Sequence, residues 1–372
     1  MKKVLFTATV DSHILQFHIP YLKMFKEKGY EVHVASKGEE EIKYCDKHFN
    51  IPFERFPLNP KNLKAYKELK KIINDNQYKI IHCHTPVGGV ITRLAARKAR
   101  KQYNTKVIYT AHGFHFYKGA PLLNWIIYYP IEKICSKWTD CLITITNEDF
   151  ELAKRKFEKC KKIEHVCGVG LNTDRFDIEI TEEDLEELRK EIGIEKDNIV
   201  LTYVAELNKN KNQMLLIKTM EQLIKESDKY RLILVGDGNK KQEYEQYITE
   251  HNLQEYIKIL GRREDVPQIL KLTNIYVASS LREGLPVNIM EAMYMGLPVI
   301  ATDNRGHREL IKNEENGYLI SLKQKEKDFG EKIIELSNNK KICGKFKEEN
   351  KKNVKKFSLE EVIKKMTKIY MN

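Results

Sequence analysis

The chain has 372 residues, enough for two domains of ordinary size, and 41% of them are hydrophobic, so each domain can bury a core. Its net charge of +12 is uneven, because residues 1–170 carry +13, residues 171–350 carry −6 and residues 351–372 carry +5. Seven cysteines without a C-x-x-C pair argue against a disulfide framework and a zinc ribbon, and no apolar run reaches the roughly 18 residues of a membrane span. We therefore expect a reduced, cytoplasmic protein.

Short apolar runs alternate with helical patterns along the first half of the chain. This alternation predicts an α/β fold with a doubly wound parallel sheet, in which ligands collect at the carboxyl ends of the strands. The predicted strands are 4–9, 31–35, 80–83, 106–110 and 142–146, and the predicted helices are 14–28, 62–74 and 88–101.

Polar residues lie at the ends of these predicted strands. Asp11 and His13 follow the first strand, His82 and His84 lie at the end of a middle one, and His112 follows the next. A neutral imidazole offers one hydrogen-bond donor and one acceptor to a ligand, and packing or loop positions are the alternative for each histidine. Because no H-x-x-x-H or H-E-x-x-H spacing links them, we predict no metal site.

Residues 119–138 crowd leucine, isoleucine, tryptophan and tyrosine beside lysine. Such a stretch suits either a membrane interface or a buried helix, and Pro130 together with the lack of a wholly polar face favours burial. With the basic residues of the stretch 93–106, it also supports the hypothesis that this domain attaches peripherally to an anionic lipid surface.

A glycine-containing segment at 168–176 is followed by an acidic stretch, and this change of composition predicts a domain boundary. We divide the chain into a first domain at 1–172, a second at 173–355 and a C-terminal helix at 356–372. The strand and helix alternation resumes in the second domain. Its predicted strands are 199–205, 230–235, 257–260, 275–278 and 299–301, and its predicted helices, with the terminal one, are 212–227, 240–251 and 357–371.

The stretch 280–296 carries the most informative pattern of the chain. A buried strand ends at a turn that holds Glu283 and Gly284, and Pro286 opens a helix that carries Glu291. A helix N-terminus presents unpaired N–H groups and a partial positive charge, which makes this turn a candidate phosphate site. The alternative is an ordinary surface pair of glutamates.

In its E-G-L-P-V context, the pair Glu283 and Glu291 resembles the paired-glutamate motif of the family 4 retaining glycosyltransferases. The resemblance implies the GT-B fold, with two Rossmann-like domains facing a cleft, an acceptor-binding N-terminal domain, a donor-binding C-terminal domain and a terminal helix that crosses back. Four further stretches resemble the family's donor site in the correct order. They are V-A-E-L ending in Lys211, V-G-D-G at 235–238, G-R-R-E-D-V-P at 261–267 and T-D-N-R-G at 302–306.

The resemblance also implies a role for each site residue. Glu283 would hold the donor sugar near its anomeric carbon, Lys211 would neutralise the donor diphosphate, Glu291 would bind the ribose hydroxyls and His112 would contact the donor sugar. The remaining residues of the expected donor site are Arg262, Gly284, Leu285, Pro286, Val287, Gly236, Gly238 and Arg282.

The sequence departs from the family in two places. Glu206 stands where an arginine is usual, so a second cation for the diphosphate must come from elsewhere, with Arg282, Arg262 and Arg305 as candidates. The first loop lacks the glycines of many relatives, which suggests a side-chain role there, with Asp11 or His13 near the acceptor.

We therefore expect a retaining, metal-independent hexosyltransferase without a cofactor, which uses a UDP-sugar and a lipid-diphosphate-linked glycan in capsule or exopolysaccharide assembly. The absence of a D-x-D triplet agrees with a reaction that needs no metal. Two alternatives remain open: a UDP-N-acetylhexosamine epimerase of the same fold, and a nucleic-acid-binding protein suggested by the pI near 9.1. The second is disfavoured because the aromatic residues are not interleaved with lysine, so we expect no nucleic acid partner. Peripheral association would place the enzyme on the inner face of the cell membrane.

Overall fold

The computed structural model describes residues 1–322 and 325–371. The chain divides into two compact units, each with its own parallel sheet. The N-terminal unit comprises Met1–Gly170 together with the segment from Glu360 onward, and the C-terminal unit comprises Leu171–Leu359. The predicted fold class, two doubly wound α/β units, is confirmed.

The N-terminal unit is built on a seven-stranded parallel sheet with the strand order β3-β2-β1-β4-β5-β6-β7. Its central strands are nearly continuous apolar runs because helices cover both faces of the sheet. Since β1 lies between β2 and β4, the loops after β1, β4 and β5 meet at one edge. The strands are β1 (Lys3–Val10), β2 (Glu31–Lys37), β3 (Lys47–Asn50), β4 (Ile80–His84), β5 (Lys106–Ala111), β6 (Cys141–Thr144) and β7 (Lys162–His165).

The helices of this unit follow the predicted pattern with two breaks. The helix expected at 14–28 is divided at His18, just before Pro20, and the one expected at 88–101 is also two helices. The helices are α1 (Asp11–Phe17), α2 (Ile19–Glu27), α3 (Lys61–Asn76), α4 (Pro86–Ala96), α5 (Ala99–Gln102), α6 (Leu122–Ser136) and α7 (Asn147–Lys156).

The C-terminal unit has a six-stranded parallel sheet with the order β10-β9-β8-β11-β12-β13. The strand β8 lies between β9 and β11, so the loops after β8, β9, β11 and β12 meet at the carboxyl edge of the sheet. The strands are β8 (Ile199–Val204), β9 (Tyr230–Val235), β10 (Ile257–Gly261), β11 (Ile275–Ala278), β12 (Val299–Thr302) and β13 (Gly317–Ile320).

The helices of the C-terminal unit surround this sheet. The acidic stretch after the boundary contains one of them, which begins with a capping box between Thr181 and Asp184 and ends at Gly193 in the left-handed conformation. The helices are α8 (Glu182–Ile192), α9 (Gln213–Glu226), α10 (Lys241–Glu250), α11 (Val266–Leu272), α12 (Val287–Tyr294), α13 (Arg305–Leu310), α14 (Lys325–Asn338) and α15 (Lys340–Val354).

The last helix, α16 (Leu359–Met371), packs on the N-terminal unit. Its apolar face joins the core around β1, β2 and β4, and the Tyr370 hydroxyl lies 2.7 Å from His82 Nδ1. The residues of α16 buried in that core are Val362, Met366, Ile369 and Tyr370.

The segment 119–138 is only partly buried. It forms α6, whose half-buried Trp125, Tyr128 and Tyr129 pack against a core cluster of the unit, whereas its leucines and several of its isoleucines project outward. Leu122 is 74% exposed and Ile126 is 61% exposed. None of the helices among the described residues is both long and apolar enough to cross a membrane.

The basic residues of the stretch 93–106 are also less available for contact with an anionic lipid surface than we had expected. Arg93 is fully buried and donates to both carboxylate oxygens of Glu132, with the closer contact at 2.8 Å. Arg100 is paired with Asp140 at 2.7 Å. These two arginines are paired with carboxylates inside the N-terminal unit, so their charge is not available to attract a lipid surface.

Candidate functional site

The two glutamates of the paired motif are placed by one strand, turn and helix in the C-terminal unit. The strand β11 ends at Ala278, a loop carries Glu283, and Pro286 caps the helix α12, which begins at Val287. Glu291 lies in the second turn of that helix and is buried. The strand, turn and helix predicted from the proline and the apolar spacing are therefore present.

Lys211 and Glu283 form an ion pair, with Lys211 Nζ 2.6 Å from Glu283 Oε1. The two residues are 72 positions apart, and hydrogen bonds between their loops bring them together. Leu281 N donates to Asn210 O at 2.7 Å, and Ser279 Oγ donates to Lys211 O at 2.8 Å. The two loops are thus held together by backbone contacts, which keep the side chains of Lys211 and Glu283 within reach of each other.

The loop after β12 supports this pair from the other side. Thr302 Oγ1 and Asn304 Nδ2 both donate to the carbonyl of Ser280. A side chain at Gly306 would place its Cβ 2.4 Å from Gly284 O and 2.7 Å from Glu283 Cβ. Only glycine therefore permits the close approach that holds the Glu283 turn.

His307, which the sequence did not single out, lies in the same region. It is buried, and its Nδ1 donates to Thr302 O at 2.6 Å. Burial lowers the pKa of His307 to about 4, while the charges of Glu283 and Lys211 act on it in opposite directions. A neutral imidazole therefore stands beside the ion pair. Its position in the run T-D-N-R-G-H, directly after a strand, is the signal that could have identified it.

Glu291 has a different environment from Glu283. Burial raises the pKa of Glu291 above its usual value, and the guanidinium of Arg175 lowers it in part. The Arg175 Nη1 to Glu291 Oε1 distance is 3.5 Å. Arg175 belongs to the segment predicted as a linker, so sequence reasoning also missed this cation.

The glycines at 236 and 238 permit a close backbone contact within the unit. A Cβ on Gly236 would lie 2.0 Å from Ala205 O, and a Cβ on Gly238 would lie 2.3 Å from Leu207 O. They allow the loop after β9 to pack on the loop after β8, which carries Glu206. The Glu206 residue itself is exposed, and its carbonyl accepts a hydrogen bond from Gln213 Nε2.

The remaining predicted donor residues differ in exposure. Arg262 and Arg282 are exposed, whereas Arg305 is buried and its Nε donates to Glu283 O at 3.4 Å. Gly284, Leu285 and Val287 are half-buried and Pro286 is buried, all next to the paired lysine and glutamate. The roles of these residues stay predictions.

The N-terminal unit has a cleft of about 500 Å³ at the carboxyl edge of its sheet. His13 and Arg55 contribute polar groups to it, and Val87, Val90 and Ile131 contribute apolar ones. His13 is thus positioned to meet a ligand.

Asp11 is placed differently from His13. It is buried, its carboxylate accepts from Ser36 Oγ and Glu40 N, and it lies 3.1 Å from His48 Nε2. These contacts join α1 to β2 and β3. A direct acceptor contact by Asp11 stays a prediction.

His112 follows β5 and stands at the same edge of the sheet. It is half-buried, and its Nε2 lies 3.4 Å from His84 Nδ1. The ring centroid of His13 is 4.7 Å away. Burial holds the pKa of His112 well below its usual value, so that its ring is neutral at physiological pH.

Comparison with known proteins identifies both units. The family model described as glycosyl transferases group 1 matches residues 184–353, and the model described as glycosyl transferase 4-like matches residues 3–147. EpsD of Bacillus subtilis, which is named as a glycosyltransferase, is 44% identical over 369 residues, or 99% of this chain and 96% of EpsD.

A second relative is the Escherichia coli UDP-Gal:alpha-D-GlcNAc-diphosphoundecaprenol alpha-1,3-galactosyltransferase. It is 33% identical over 266 residues, which cover 70% of this chain and 67% of that enzyme. Among solved structures, Anabaena Alr3699/HepE in complex with UDP and glucose has a TM-score of 0.78 at 18% identity, with 99% of each chain covered. That likeness shows the fold, which is the predicted GT-B fold.

Proposed function

The chain belongs to the group 1 glycosyltransferases, and from that premise we propose that it transfers a hexose or N-acetylhexosamine from a UDP-sugar to a lipid-diphosphate-linked glycan. The E. coli relative is named for a UDP-sugar donor and a diphosphoundecaprenol acceptor, which supports both substrate classes. The reaction would serve the assembly of a capsule or exopolysaccharide.

The pair of Lys211 and Glu283 is the observation that carries this proposal. Each side chain neutralises the other at 2.6 Å, and both are held at the carboxyl edge of the sheet, where nucleotides bind in such folds. When a donor binds, Lys211 would turn to its diphosphate and Glu283 would accept hydrogen bonds from the sugar hydroxyls. The backbone contacts between the two loops hold Lys211 and Glu283 next to each other, so both groups are close to the donor when it binds.

The other donor contacts follow from chemistry and position. The buried carboxylate of Glu291 would accept hydrogen bonds from the ribose hydroxyls, with Arg175 limiting the cost of its charge. The N-terminus of α12 would add unpaired N–H groups near the phosphates. Arg262 and Arg282, both exposed, are the cations we propose to replace the arginine that Glu206 displaces.

We expect retention of the anomeric configuration and no metal ion at the diphosphate. The sugar C1–O bond to the diphosphate breaks, the acceptor hydroxyl oxygen attacks C1 from the same face, and its proton passes to the departing phosphate oxygen. Lys211 and the N-terminus of α12 would stabilise the negative charge that develops on the leaving group. His112, as a neutral ring, would donate a hydrogen bond to the donor sugar.

The N-terminal unit has features that suit a lipid diphosphate. Its cleft combines the guanidinium of Arg55 with an apolar lining, and residues 1–170 carry a net charge of +13. The outward face of α6 adds exposed leucine and isoleucine beside Lys133 and Lys137, a combination that favours contact with an anionic membrane surface. We therefore propose peripheral attachment on the inner face of the cell membrane.

Transfer can be measured with a lipid diphosphate that carries N-acetylglucosamine, using UDP-galactose, UDP-glucose and their N-acetylated forms as donors. We expect one donor to give a glycosylated lipid, with the α-anomer identified by NMR. Glu283→Gln should reduce turnover at least about 100-fold, since it weakens contacts made in the transition state.

The matched control is Glu187→Gln, because Glu187 is an exposed glutamate of α8 in the same unit. Equal turnover in Glu283→Gln and Glu187→Gln would remove the proposed site. Conversion of a UDP-N-acetylhexosamine without any acceptor would instead identify an epimerase.

A further inference from the structure

Four histidines converge at the carboxyl edge of the N-terminal sheet. His13 lies in α1, His18 separates α1 from α2, His84 is the last residue of β4 and His112 follows β5. One ligand nitrogen from each ring lies within 4.8 Å of those of the other three. Because β1, β4 and β5 are adjacent in the sheet, the topology itself brings these side chains together.

Four buried nitrogens of this four-histidine cluster lack hydrogen-bond partners within the described chain, and the 3.4 Å contact between His84 Nδ1 and His112 Nε2 joins two members of the cluster itself. Neither ring nitrogen of His18 has a partner, and neither His84 Nε2 nor His13 Nε2 has one. His18 is 2% exposed and His84 is fully buried. A buried polar atom without a partner destabilises the folded state, so several of them in one place indicate that a ligand binds there.

The neighbouring histidine His82 makes the contrast clear. It is also buried, but its Nδ1 is 2.7 Å from the Tyr370 hydroxyl and its Nε2 is 2.8 Å from Thr110 Oγ1. Both ring nitrogens of His82 therefore have hydrogen-bond partners within the fold. The four nitrogens of the cluster named above do not.

The spacing of the cluster suits a four-coordinate metal ion. Bonds of about 2.0–2.1 Å in a tetrahedron separate the ligand nitrogens by roughly 3.3–3.4 Å. His84 Nδ1 and His112 Nε2 are already 3.4 Å apart. All four ligand nitrogens lie within 4.8 Å of one another, so metal binding requires them to draw closer. The rings of His18 and His84, which are stacked with centroids 3.8 Å apart, must also turn so that both lone pairs point at the ion.

The protonation state of the cluster agrees with this role. Burial lowers the pKa of His13 to about 4 and holds the pKa of His18 and of His84 well below its usual value. The rings are therefore neutral, and a neutral imidazole is the form that offers a lone pair to a metal.

We infer that His13, His18, His84 and His112 bind one divalent transition-metal ion of the zinc type in tetrahedral geometry. This departs from the prediction of no metal, because the four ligands come from separate elements and not from one helix with a recognisable spacing. Four protein ligands leave no open position, so the ion would be a positioning centre and not a Lewis acid for the diphosphate.

The ion would also determine which ring nitrogen of His112 carries the proton. If His112 Nε2 is bound to the metal, the proton must reside on Nδ1, which then becomes a fixed hydrogen-bond donor. The site would therefore orient the same histidine that we propose to contact the donor sugar. The inference itself rests on the cluster and does not depend on the proposed transferase activity.

Elemental analysis of protein carrying a histidine-free affinity tag and purified without chelators tests this site. We expect close to one zinc ion per chain in the wild type. His18→Gln and His84→Gln should lose most of the metal. His82→Gln is the matched control, because His82 is equally buried but lies outside the cluster, and it should retain the metal.

A second measurement keeps the test decisive if these variants fold poorly. Wild-type protein stripped with a chelator should bind one Co²⁺ per chain with the intense visible bands of four-coordinate cobalt, and Zn²⁺ should raise its Tm by mass action. Stripped protein that binds neither ion and has the same Tm with and without Zn²⁺ would overturn the inference. So would full metal content in both His18→Gln and His84→Gln.

Discussion

The two glutamates of the proposed donor site have the same chemistry but different neighbours. Glu283 is held by Lys211, whose ammonium can move to a phosphate, whereas Glu291 is buried against the helix core with Arg175 as its partner. An unliganded buried carboxylate is a cost to the folded state, and it is retained where binding needs it. We therefore expect the carboxylate of Glu291 to lower the stability of the unliganded protein and to contribute to ligand binding.

Replacing Glu291 with glutamine should stabilise the unliganded protein at neutral pH and weaken nucleotide binding. The folded-state pKa of Glu291 is raised above the unfolded value, so its ionisation destabilises the fold as the pH rises through that pKa. The gain in Tm of Glu291→Gln should thus be largest near pH 7–8 and should disappear toward pH 4, where the carboxyl group is protonated in both states. Thermal melts across this pH range measure it.

The control for this series is Glu187→Gln, in which an exposed carboxylate is lost from the same unit. Its Tm should follow the wild type at every pH. A Glu291→Gln variant that is less stable than the wild type at pH 8 would show that the contact with Arg175 outweighs the cost of burial.

At the scale of elements, α6 exposes several large apolar side chains to solvent. Its exposed residues recur three and four positions apart, which places them on one face of the helix. Lys133 and Lys137 continue that face toward the C-terminus, and a basic groove with Arg155 and Lys156 runs beside it. The exposed apolar residues of α6 are Leu122, Leu123, Ile126, Ile127 and Ile134.

Substituting Leu123 and Ile126 together with serine should weaken binding to anionic vesicles. Burial of each side chain in the lipid interface contributes about 1.5–3 kcal/mol, so the double variant should bind at least about tenfold more weakly. Sedimentation with vesicles of anionic and of zwitterionic lipid measures the partition. High salt should also reduce binding, because the lysines contribute through screened attraction.

A double variant at Leu58 and Leu63 is the matched control, since these leucines are equally exposed on the same unit but lie outside α6. It should bind vesicles as the wild type does. Binding that is the same in both double variants would exclude α6 as the membrane contact.

Most of the long elements could be predicted from apolar periodicity, but some short strands and covered faces could not. The strands β3, β7 and β13, which all lie at the edge of a sheet, were missed. In β3 and β7 polar residues interrupt the apolar ones, so they lack the apolar run that identified the equally short central strands β11 and β12. The pattern of α6 indicated apolar residues without indicating whether another element covers them. Burial was therefore correct for the aromatic side chains of α6, which pack on the core, and wrong for its exposed leucine and isoleucine side chains.

The same limit applies to the candidate sites. Motif residues such as Glu283 and Lys211 are recognisable because the strand and turn around them have local signals. Arg175 and His307 join the site through loop contacts between distant positions, and no local pattern encodes such contacts. The histidine cluster was rejected by spacing rules that describe ligands on a single helix, whereas its members come from separate loops.

At the scale of the whole molecule, the two units differ in net charge and in the side chains that form their candidate sites. The basic N-terminal unit has the apolar cleft, the histidine cluster and α6, and the more acidic C-terminal unit has the paired lysine and glutamates. Each unit has its own sheet and core, so a nucleotide site in one can be assayed without an acceptor. We propose that the C-terminal unit binds a uridine diphosphate through Lys211.

Thermal stabilisation by UDP, compared with GDP, ADP and CMP, tests that claim most directly on wild type, Lys211→Met and Lys209→Met. A ligand at 100 times its Kd adds about 2.7 kcal/mol to the stability of the state it binds, which is readily measured as a rise in Tm. We predict a selective rise with UDP that is kept in Lys209→Met, an exposed neighbour, and is lost in Lys211→Met. No rise with any nucleotide, or the same rise in Lys211→Met as in the wild type, would contradict the account.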